Sequence, residues 1–145
     1  MKLKRATKAD LPILVDLFDQ YRVWYKQTSD KIGARQYLSD RIEKKESVIF
    51  LVVENEIGLG FTQLFPSFSS VTMQQLWILN DLFIREETRG RGVGSMLIQQ
   101  AKEYSIETNA KGIILETDDD NFQAQQLYDR TGFKRDTAFR YYFYH

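Results

Sequence analysis

The stretch RGRGVGS, residues 89–95, places three glycines within five positions between an apolar segment and a helix-like segment. Alternating glycines allow positive φ values and let a ligand approach the main chain closely. The N–H groups of such a turn converge on the N-terminus of the following helix, where they favour phosphate oxygens. Arg89 and Arg91 add positive charge there. The stretch therefore predicts a strand–loop–helix unit that binds a diphosphate.

Two common phosphate-binding motifs do not match this stretch. A P-loop needs G-x-x-x-x-G-K-[ST], and the chain contains no Gly-Lys-Ser or Gly-Lys-Thr. The dinucleotide-binding pattern G-x-G-x-x-G follows the first strand of its domain, whereas this stretch follows the fourth predicted strand and its third glycine comes one position early. A glycine-rich turn that only caps a helix is the remaining alternative to a ligand site.

The residues before the stretch predict one strand, two helices and three further strands. Thr7 and Asp10 resemble a capping box ahead of the first helix, and Pro12 lies in its first turn. Apolar residues then recur at helical spacing as far as Tyr25. The other predicted elements are a strand at 2–6, a polar helix at about 33–45, strands at 47–54, 57–65 and 73–84, and a link at 66–70.

The residues after the stretch predict a helix at 95–109, a strand at 112–117, a helix at 121–131 and two closing strands at 132–135 and 139–145. The order β-α-α-β-β-β-α-β-α-β-β is typical of an α/β fold whose mixed sheet carries helices on both faces. The chain has no internal repeat, low-complexity tract or linker, so we expect residues 1–145 to form a single domain.

Composition restricts the classes of function. A hydrophobic content of 43% with 28% charged residues is typical of a soluble globular protein. Twenty basic residues balance twenty acidic ones, so no overall charge attracts nucleic acid or a membrane, and neither partner is expected.

Cysteine and histidine usage restricts the chemistry further. Cysteine is absent and the single histidine is His145, so thiol catalysis is excluded and no metal site is expected. The first residues lack a signal-peptide core, and no apolar run approaches the ~18 residues of a membrane span. A cytoplasmic location is expected.

Two blocks of the chain resemble the GNAT superfamily of N-acetyltransferases. Residues 79–98, LNDLFIREETRGRGVGSMLI, are similar to its acetyl-CoA-binding motif, [RQ]-x-x-G-x-[GA], with Arg89, Gly92 and Gly94 at the motif positions. The element order is also similar, which implies a mostly antiparallel central sheet. The second block, N-x-x-A-x-x-L-Y followed by G-F, is represented by Asn121, Ala124, Leu127, Tyr128, Gly132 and Phe133.

Within the superfamily the chain looks closest to the small aminoglycoside-, histone- and polyamine-type enzymes. The polyamine enzymes often carry an acidic residue at the position of Asn80, and this departure weakens the case for a polyamine substrate.

The resemblance implies transfer of an acetyl group from acetyl-CoA to a primary amine of a small molecule or peptide. It implies that Tyr128 donates a proton to the leaving thiolate. It also admits a homodimer, since dimers are common among relatives. The implied acetyl-CoA contacts are Leu82, Phe83 and Ile84 of the strand, Arg89, Gly90, Arg91, Gly92, Val93, Gly94 and Ser95 of the loop, and Asn121 and Ala124 of the second block.

The chemistry requires a base, because an alkylamine with a pKa near ~10.4 is protonated at neutral pH. Asp81 and Glu116, near the inner ends of adjacent predicted strands, are both candidates. An oxyanion donor is most simply a backbone N–H at a bulge in the central strand. Each residue also has a structural interpretation: Tyr128 as core, Asp81 as a partner of a buried donor, and Asn121 as a helix cap.

Aromatic residues suggest walls for an acceptor pocket and a packing surface. Phe65, Phe68, Tyr21, Trp24, Tyr25 and Tyr37 are candidates for the pocket wall, although core packing explains most of them equally well. The residues 139–144 are rich in aromatics, which favours a sheet edge or a subunit interface. Two non-catalytic hypotheses stay open: a CoA-binding sensor or interaction domain, and a structural domain without a nucleotide.

Overall fold

The structure is a computed structural model that describes residues 1–145. Its five-stranded sheet has the order β1-β2-β3-β4-β5, in which neighbours are antiparallel except for the parallel pair β4 and β5. This confirms the predicted α/β fold and its element order as far as the fourth helix. The elements are β1 (Lys2–Arg5), α1 (Leu11–Trp24), α2 (Lys31–Glu43), β2 (Val48–Glu54), β3 (Ile57–Ser69), β4 (Gln74–Ile84), α3 (Val93–Glu107), β5 (Ile113–Ile114) and α4 (Phe122–Arg130).

Helices cover both faces of the sheet, and each face has its own apolar core. Leu14, Leu17 and Phe18 of α1 pack on Phe61 and Phe83, on the face that α2 also covers. The opposite core joins α3 to the other side chains of the same strands. Alternation along β2 explains this division, because successive side chains of a strand point to opposite faces. No helix combines the length and apolar character that crossing a membrane requires.

Side-chain hydrogen bonds stabilise the turn before α1 and the start of α2. The Thr7 N–H donates to Asp10 Oδ2 at 2.8 Å, which forms the predicted capping box in a short 3-10 turn before α1. The α2 helix begins two residues before the predicted Gly33, because Asp30 Oδ1 accepts a hydrogen bond from the Gly33 N–H at 2.9 Å.

The link predicted at residues 66–70 is wrong, because β3 continues through Ser69. Pro66 lies opposite Trp77 of β4 within the regular register. The β2 strand begins at Val48, opposite Leu64, so the rest of β3 has no partner on that side. A proline, which has no N–H to donate, is compatible with such an edge.

The β4 strand contains a bulge at Asn80. Leu64 pairs with Leu79 and Gln63 pairs with Asp81, so Asn80 is the extra residue and has no partner on β3. The bulge brings the Asp81 side chain to the same face as Gln63 and Phe83. A bulge in the central strand was the feature expected for an oxyanion donor.

The two closing strands predicted at 132–135 and 139–145 are not formed. The β5 strand pairs with β4 at only two positions, and residues 115–117 then diverge from β4, so β5 offers no long edge for further strands. Residues 134–145 form no backbone–backbone hydrogen bond, and the aromatic side chains of 139–144 are exposed. The prediction that these aromatic residues pack at a sheet edge within the chain is therefore wrong. Their role in a subunit interface stays a prediction.

We expect Gly60→Ala to lower the free energy of unfolding by about 2 kcal/mol through overpacking. A Cβ at Gly60 would lie 2.8 Å from the Phe83 carbonyl oxygen and 2.9 Å from Ile84 Cδ1. Urea denaturation measures the change, and Ser67→Ala in the same strand is the control, expected to stay within about 0.5 kcal/mol of wild type. Equal midpoints for the two variants would contradict the tight contact.

Candidate active site

A cleft opens where β4 and β5 separate. The two strands pair only at Trp77–Ile113 and Ile78–Ile114, and beyond these positions the sheet splits. The cleft has a volume of about 480 Å³ and lies between β4, the C-terminal end of α1, the N-terminal end of α3, and α4. This volume is in the range of small-molecule sites.

The cleft brings together all the predicted site residues except Asp81 and Arg91. The strand residues of β4 form one wall, the glycine loop forms one end, and α4 forms the opposite wall. The predicted residues that line it are Leu82, Phe83, Ile84, Arg89, Gly90, Gly92, Val93, Gly94, Ser95, Glu116, Asn121, Ala124 and Tyr128.

The glycine loop has the backbone conformation that an anion site requires. Gly90 and Gly92 have φ values of 84° and 82°, and a Cβ on either would meet no atom within 4 Å. The N–H groups of residues 93–95, at the start of α3, donate to no acceptor within the protein. Free N–H groups beside an open loop favour phosphate oxygens, so the loop fits a diphosphate.

The two arginines of the loop have different partners. The Arg89 guanidinium lies 5.1 Å from the centre of the Trp24 ring, a cation–π distance, and so stays beside the cleft. Arg91 Nη2 lies 2.8 Å from Glu54 Oε2, and this ion pair directs Arg91 away from the cleft. The neighbouring Arg91 guanidinium lowers the pKa of Glu54.

Helix α4 is tied to the glycine loop and begins with a cap. A Cβ at Gly94 would lie 3.1 Å from Leu127 Cδ2, so the helices approach closely because residue 94 has no side chain. Asn121 Oδ1 accepts a hydrogen bond from the Ala124 N–H at 3.3 Å, so Asn121 caps α4 and also lines the cleft. Capping and ligand contact are thus compatible at Asn121.

Tyr128 of α4 belongs both to the cleft wall and to the core. Its ring packs edge-on against Phe133 with the centroids 5.8 Å apart, while the residue lines the cleft. Burial raises the pKa of Tyr128 to about 12. Its phenol therefore stays protonated at neutral pH, as a proton donor must.

Asp81 lies beneath the cleft wall and is only 6% exposed. Its Oδ2 accepts from Gln63 Nε2 at 2.7 Å, and its Oδ1 accepts from Asn80 Nδ2 at 3.1 Å. Burial raises the pKa of the Asp81 carboxyl, and the hydrogen bonds from Gln63 and Asn80 partly oppose this effect. A buried carboxyl with a raised pKa is better suited to accept a proton than an exposed one.

Glu116, the other candidate base, is at the exposed rim of the cleft. Its carboxylate accepts a hydrogen bond from Arg140 Nη1, and both side chains are 67% exposed. The structure thus separates the two candidates, with Asp81 buried beside Tyr21 and Glu116 paired at the surface.

The aromatic wall comes from the end of α1. Tyr21, Trp24 and Tyr25 line the cleft, whereas Tyr37 stacks on Phe18 beside a separate shallow pocket. Burial, followed by the charge of Asp81, raises the pKa of Tyr21. The predicted wall residues Phe65 and Phe68 do not line the cleft.

Two polar residues, Gln63 and Ser47, lie near Asp81 and were not predicted from the sequence to do so. Gln63 is fully buried and Ser47 nearly so, and both belong to the hydrogen-bonded group around the carboxylate. The signal was available in GFTQLF, where a polar pair, Thr62 and Gln63, interrupts an apolar strand. No group of three or more potential metal ligands converges in the structure.

Comparison with known proteins gives matches along most of the chain. Residues 12–133 match the family model described as acetyltransferase (GNAT) family. "Uncharacterized N-acetyltransferase YhfO" of Bacillus subtilis is 42% identical over 142 residues, which cover 98% of this chain and 95% of that protein. A "probable acetyltransferase" of Haemophilus influenzae is 31% identical and covers 92% of this chain and 90% of its own.

Solved structures agree with these matches. The crystal structure of a "probable acetyltransferase" superposes with a TM-score of 0.93 at 39% identity, and the match covers 99% of this chain and 97% of that one.

Proposed function

Because the chain belongs to the acetyltransferase (GNAT) family and is an acetyl-CoA-dependent N-acetyltransferase, we propose that it acetylates a primary amine of a small molecule or peptide. The proposed reaction is direct attack by the amine, with Asp81 as the base and Tyr128 as the general acid. The observation that carries the proposal is the cleft itself, which has the glycine loop at one end and Tyr128 in its wall, with Asp81 buried just beneath.

The residues of the cleft fit acetyl-CoA, which supplies the acetyl thioester when it is bound. The free N–H groups of residues 93–95 would hold its pyrophosphate, and Arg89 is near enough to add charge. The β4 residues Leu82, Phe83 and Ile84 would contact the pantetheine arm along the split of the sheet. Asn121 and Ala124 would contact it from α4.

The amine must lose a proton before it attacks, and we propose that this proton reaches Asp81. Tyr21 lines the cleft and is close enough to Asp81 for the charge of the carboxylate to raise the pKa of its phenol, so we place Tyr21 between the carboxylate and the substrate. The Tyr21 hydroxyl accepts the proton of the ammonium group as it passes its own proton to Asp81. Glu116 is the less suitable base, because its carboxylate is exposed at the rim and already paired with Arg140.

The remaining groups serve the leaving thiolate and the developing oxyanion. Tyr128 keeps its proton at neutral pH and donates it to the leaving sulfur. The bulge at Asn80 interrupts the ladder between β3 and β4, and Asn80 lines the cleft. We propose that the main chain at this bulge provides the oxyanion donor.

We expect Gly92→Ala to weaken acetyl-CoA binding about tenfold or more, because a side chain is strained at φ 82° and its methyl group would enter the open side of the loop. Isothermal titration calorimetry measures the dissociation constant. Gly132→Ala is the matched control, since Gly132 also has a positive φ, 94°, but does not line the cleft. If Gly92→Ala bound acetyl-CoA with wild-type affinity, the glycine loop would not be the pyrophosphate site.

A direct test of the proposed function is release of free CoA thiol from acetyl-CoA with a panel of amines. The panel should contain aminoglycosides, polyamines, amino acids and peptides with free N-termini or lysines. Amine-dependent thiol release, with a product heavier by one acetyl group in mass spectrometry, supports the proposal. Tight acetyl-CoA binding without thiol release for every amine would favour a CoA-binding sensor or interaction domain instead.

A further inference from the structure

Three buried polar side chains form a hydrogen-bonded chain that ends at Asp81. Ser47 Oγ donates to Gln63 Oε1 at 2.7 Å, and Gln63 Nε2 donates to Asp81 Oδ2 at 2.7 Å. Gln63 is 0% exposed and lies in the middle strand of the sheet. These contacts connect the residue before β2 with the bulged part of β4.

This chain determines the orientation of the Gln63 amide. The Ser47 hydroxyl donates to the amide oxygen, so the amide nitrogen must face Asp81, where it can only donate. The bulge at Asn80 places Gln63 directly opposite Asp81, and the Asn80 amide donates to the second carboxylate oxygen at 3.1 Å. Both oxygens of Asp81 therefore have a donor, and the carboxylate has a defined position.

Burying a glutamine in an apolar strand costs free energy, because the amide loses its hydration and needs hydrogen-bond partners within the protein. An apolar side chain of similar size would fill the same space among Phe61 and Phe83. We infer that Gln63, oriented by Ser47, is a positioning residue that holds the Asp81 carboxylate ready to accept the proton of the acceptor amine. This inference rests on the proposed function, in which Asp81 is the base.

Few other groups near Asp81 could position its carboxylate in place of Gln63. Tyr21 of α1 and Tyr25, the residue after α1, are close enough to Asp81 for its charge to raise their pKa values, and Tyr128 of α4 is close enough to influence Tyr21. These phenols are neutral at pH 7. The charge of Asp118 contributes to raising the pKa of Tyr25. The amides of Gln63 and Asn80 are thus the side-chain donors whose hydrogen bonds favour the charged form of Asp81.

The test is the pH profile of kcat/KM for Gln63→Met, a variant of similar length that cannot donate. Loss of the hydrogen bond disfavours the ionised carboxylate, so the acid limb of the profile should move to higher pH by about one unit. Ser47→Ala should move the limb in the same direction by a smaller amount, because the amide keeps its donor but loses its anchor.

The matched control is Thr62→Val. The Thr62 hydroxyl donates to the backbone carbonyl of Asp81 at 2.8 Å, so this variant loses an equally buried hydrogen bond at the same residue without touching the carboxylate. Its acid limb should coincide with that of wild type. An acid limb that does not move in Gln63→Met and Ser47→Ala, or that moves equally in Thr62→Val, would overturn the inference.

A second measurement does not need turnover. Carbon-13 NMR of protein labelled at aspartate carboxyl groups follows the titration of Asp81, which is identified by its loss in Asp81→Asn. Gln63→Met should raise the measured pKa of Asp81 relative to wild type, and an unchanged value would contradict the inference. If wild type transfers no acetyl group to any amine, the proposed function fails while this titration still decides the role of Gln63. If Gln63→Met does not fold, the Ser47→Ala titration decides it.

Discussion

Asp81→Asn is expected to lower kcat/KM at neutral pH by about 10²- to 10³-fold, because the ammonium group of the acceptor loses its proton acceptor. The amide that replaces the carboxylate has nearly the same shape, so binding of acetyl-CoA in the cleft should be unchanged. The loss should be smaller at high pH. As the pH approaches ~10.4, a growing fraction of an alkylamine arrives already deprotonated and no longer needs a base.

The measurement is kcat/KM for the best amine of the panel between neutral and alkaline pH. Asp19→Asn is the matched control, because Asp19 is another buried carboxylate of the same fold, 5% exposed and bonded to Ser29 Oγ at 2.6 Å, and it does not line the cleft. Asp19→Asn should retain wild-type activity once it is folded. If Asp81→Asn were as active as wild type at neutral pH, the base would have to be another group.

Tyr128→Phe is expected to lower kcat by about 100-fold while the dissociation constant of acetyl-CoA changes by less than about twofold. The variant removes only the hydroxyl and keeps the ring that packs on Phe133. Since the pKa of Tyr128 is raised to about 12, wild type holds the donated proton through neutral pH, and the loss should be the same from pH 6 to 8.

Steady-state kinetics and calorimetry on the same preparation separate turnover from binding. Tyr104→Phe serves as the control, because the Tyr104 ring packs against Trp77 in the core of the same face and is not part of the cleft. Full activity in Tyr128→Phe would assign Tyr128 to packing alone. Equal losses in the two variants would indicate a general effect of a missing phenol.

The parts of the fold that local sequence determines were predictable. The glycine loop and α3 follow each other directly, and the capping box of α1 lies within four residues, so their signals are contained in short windows. The same holds for the cap of α4 at Asn121. The predicted strand at 57–65 stopped before Pro66, whereas β3 continues to Ser69. A proline is tolerated there because the pairing of β3 with β2 stops at Leu64, and the sequence does not show where that pairing stops.

The closing strands were mispredicted for a related reason. Aromatic residues at 139–144 have high strand propensity, but a strand also needs an edge with which to pair, and β5 offers two residues. The site shows the same difference between features encoded in a short stretch of sequence and features that depend on distant residues. The cleft residues of the glycine loop and of α4 were recognised from their motifs, whereas the partnership of Gln63 with Asp81 spans 18 residues and depends on the bulge at Asn80.

The close approach of Gly94 to Leu127 has a thermodynamic consequence. Leu127 is the neighbour of Tyr128 in α4, so the loop at one end of the cleft and the proposed acid in its wall share one packing contact. Groups in direct contact are energetically coupled, and coupling between two sites is reciprocal. We therefore expect ligand binding at the loop and the placement of Tyr128 to be coupled, so that a change in one alters the free energy of the other.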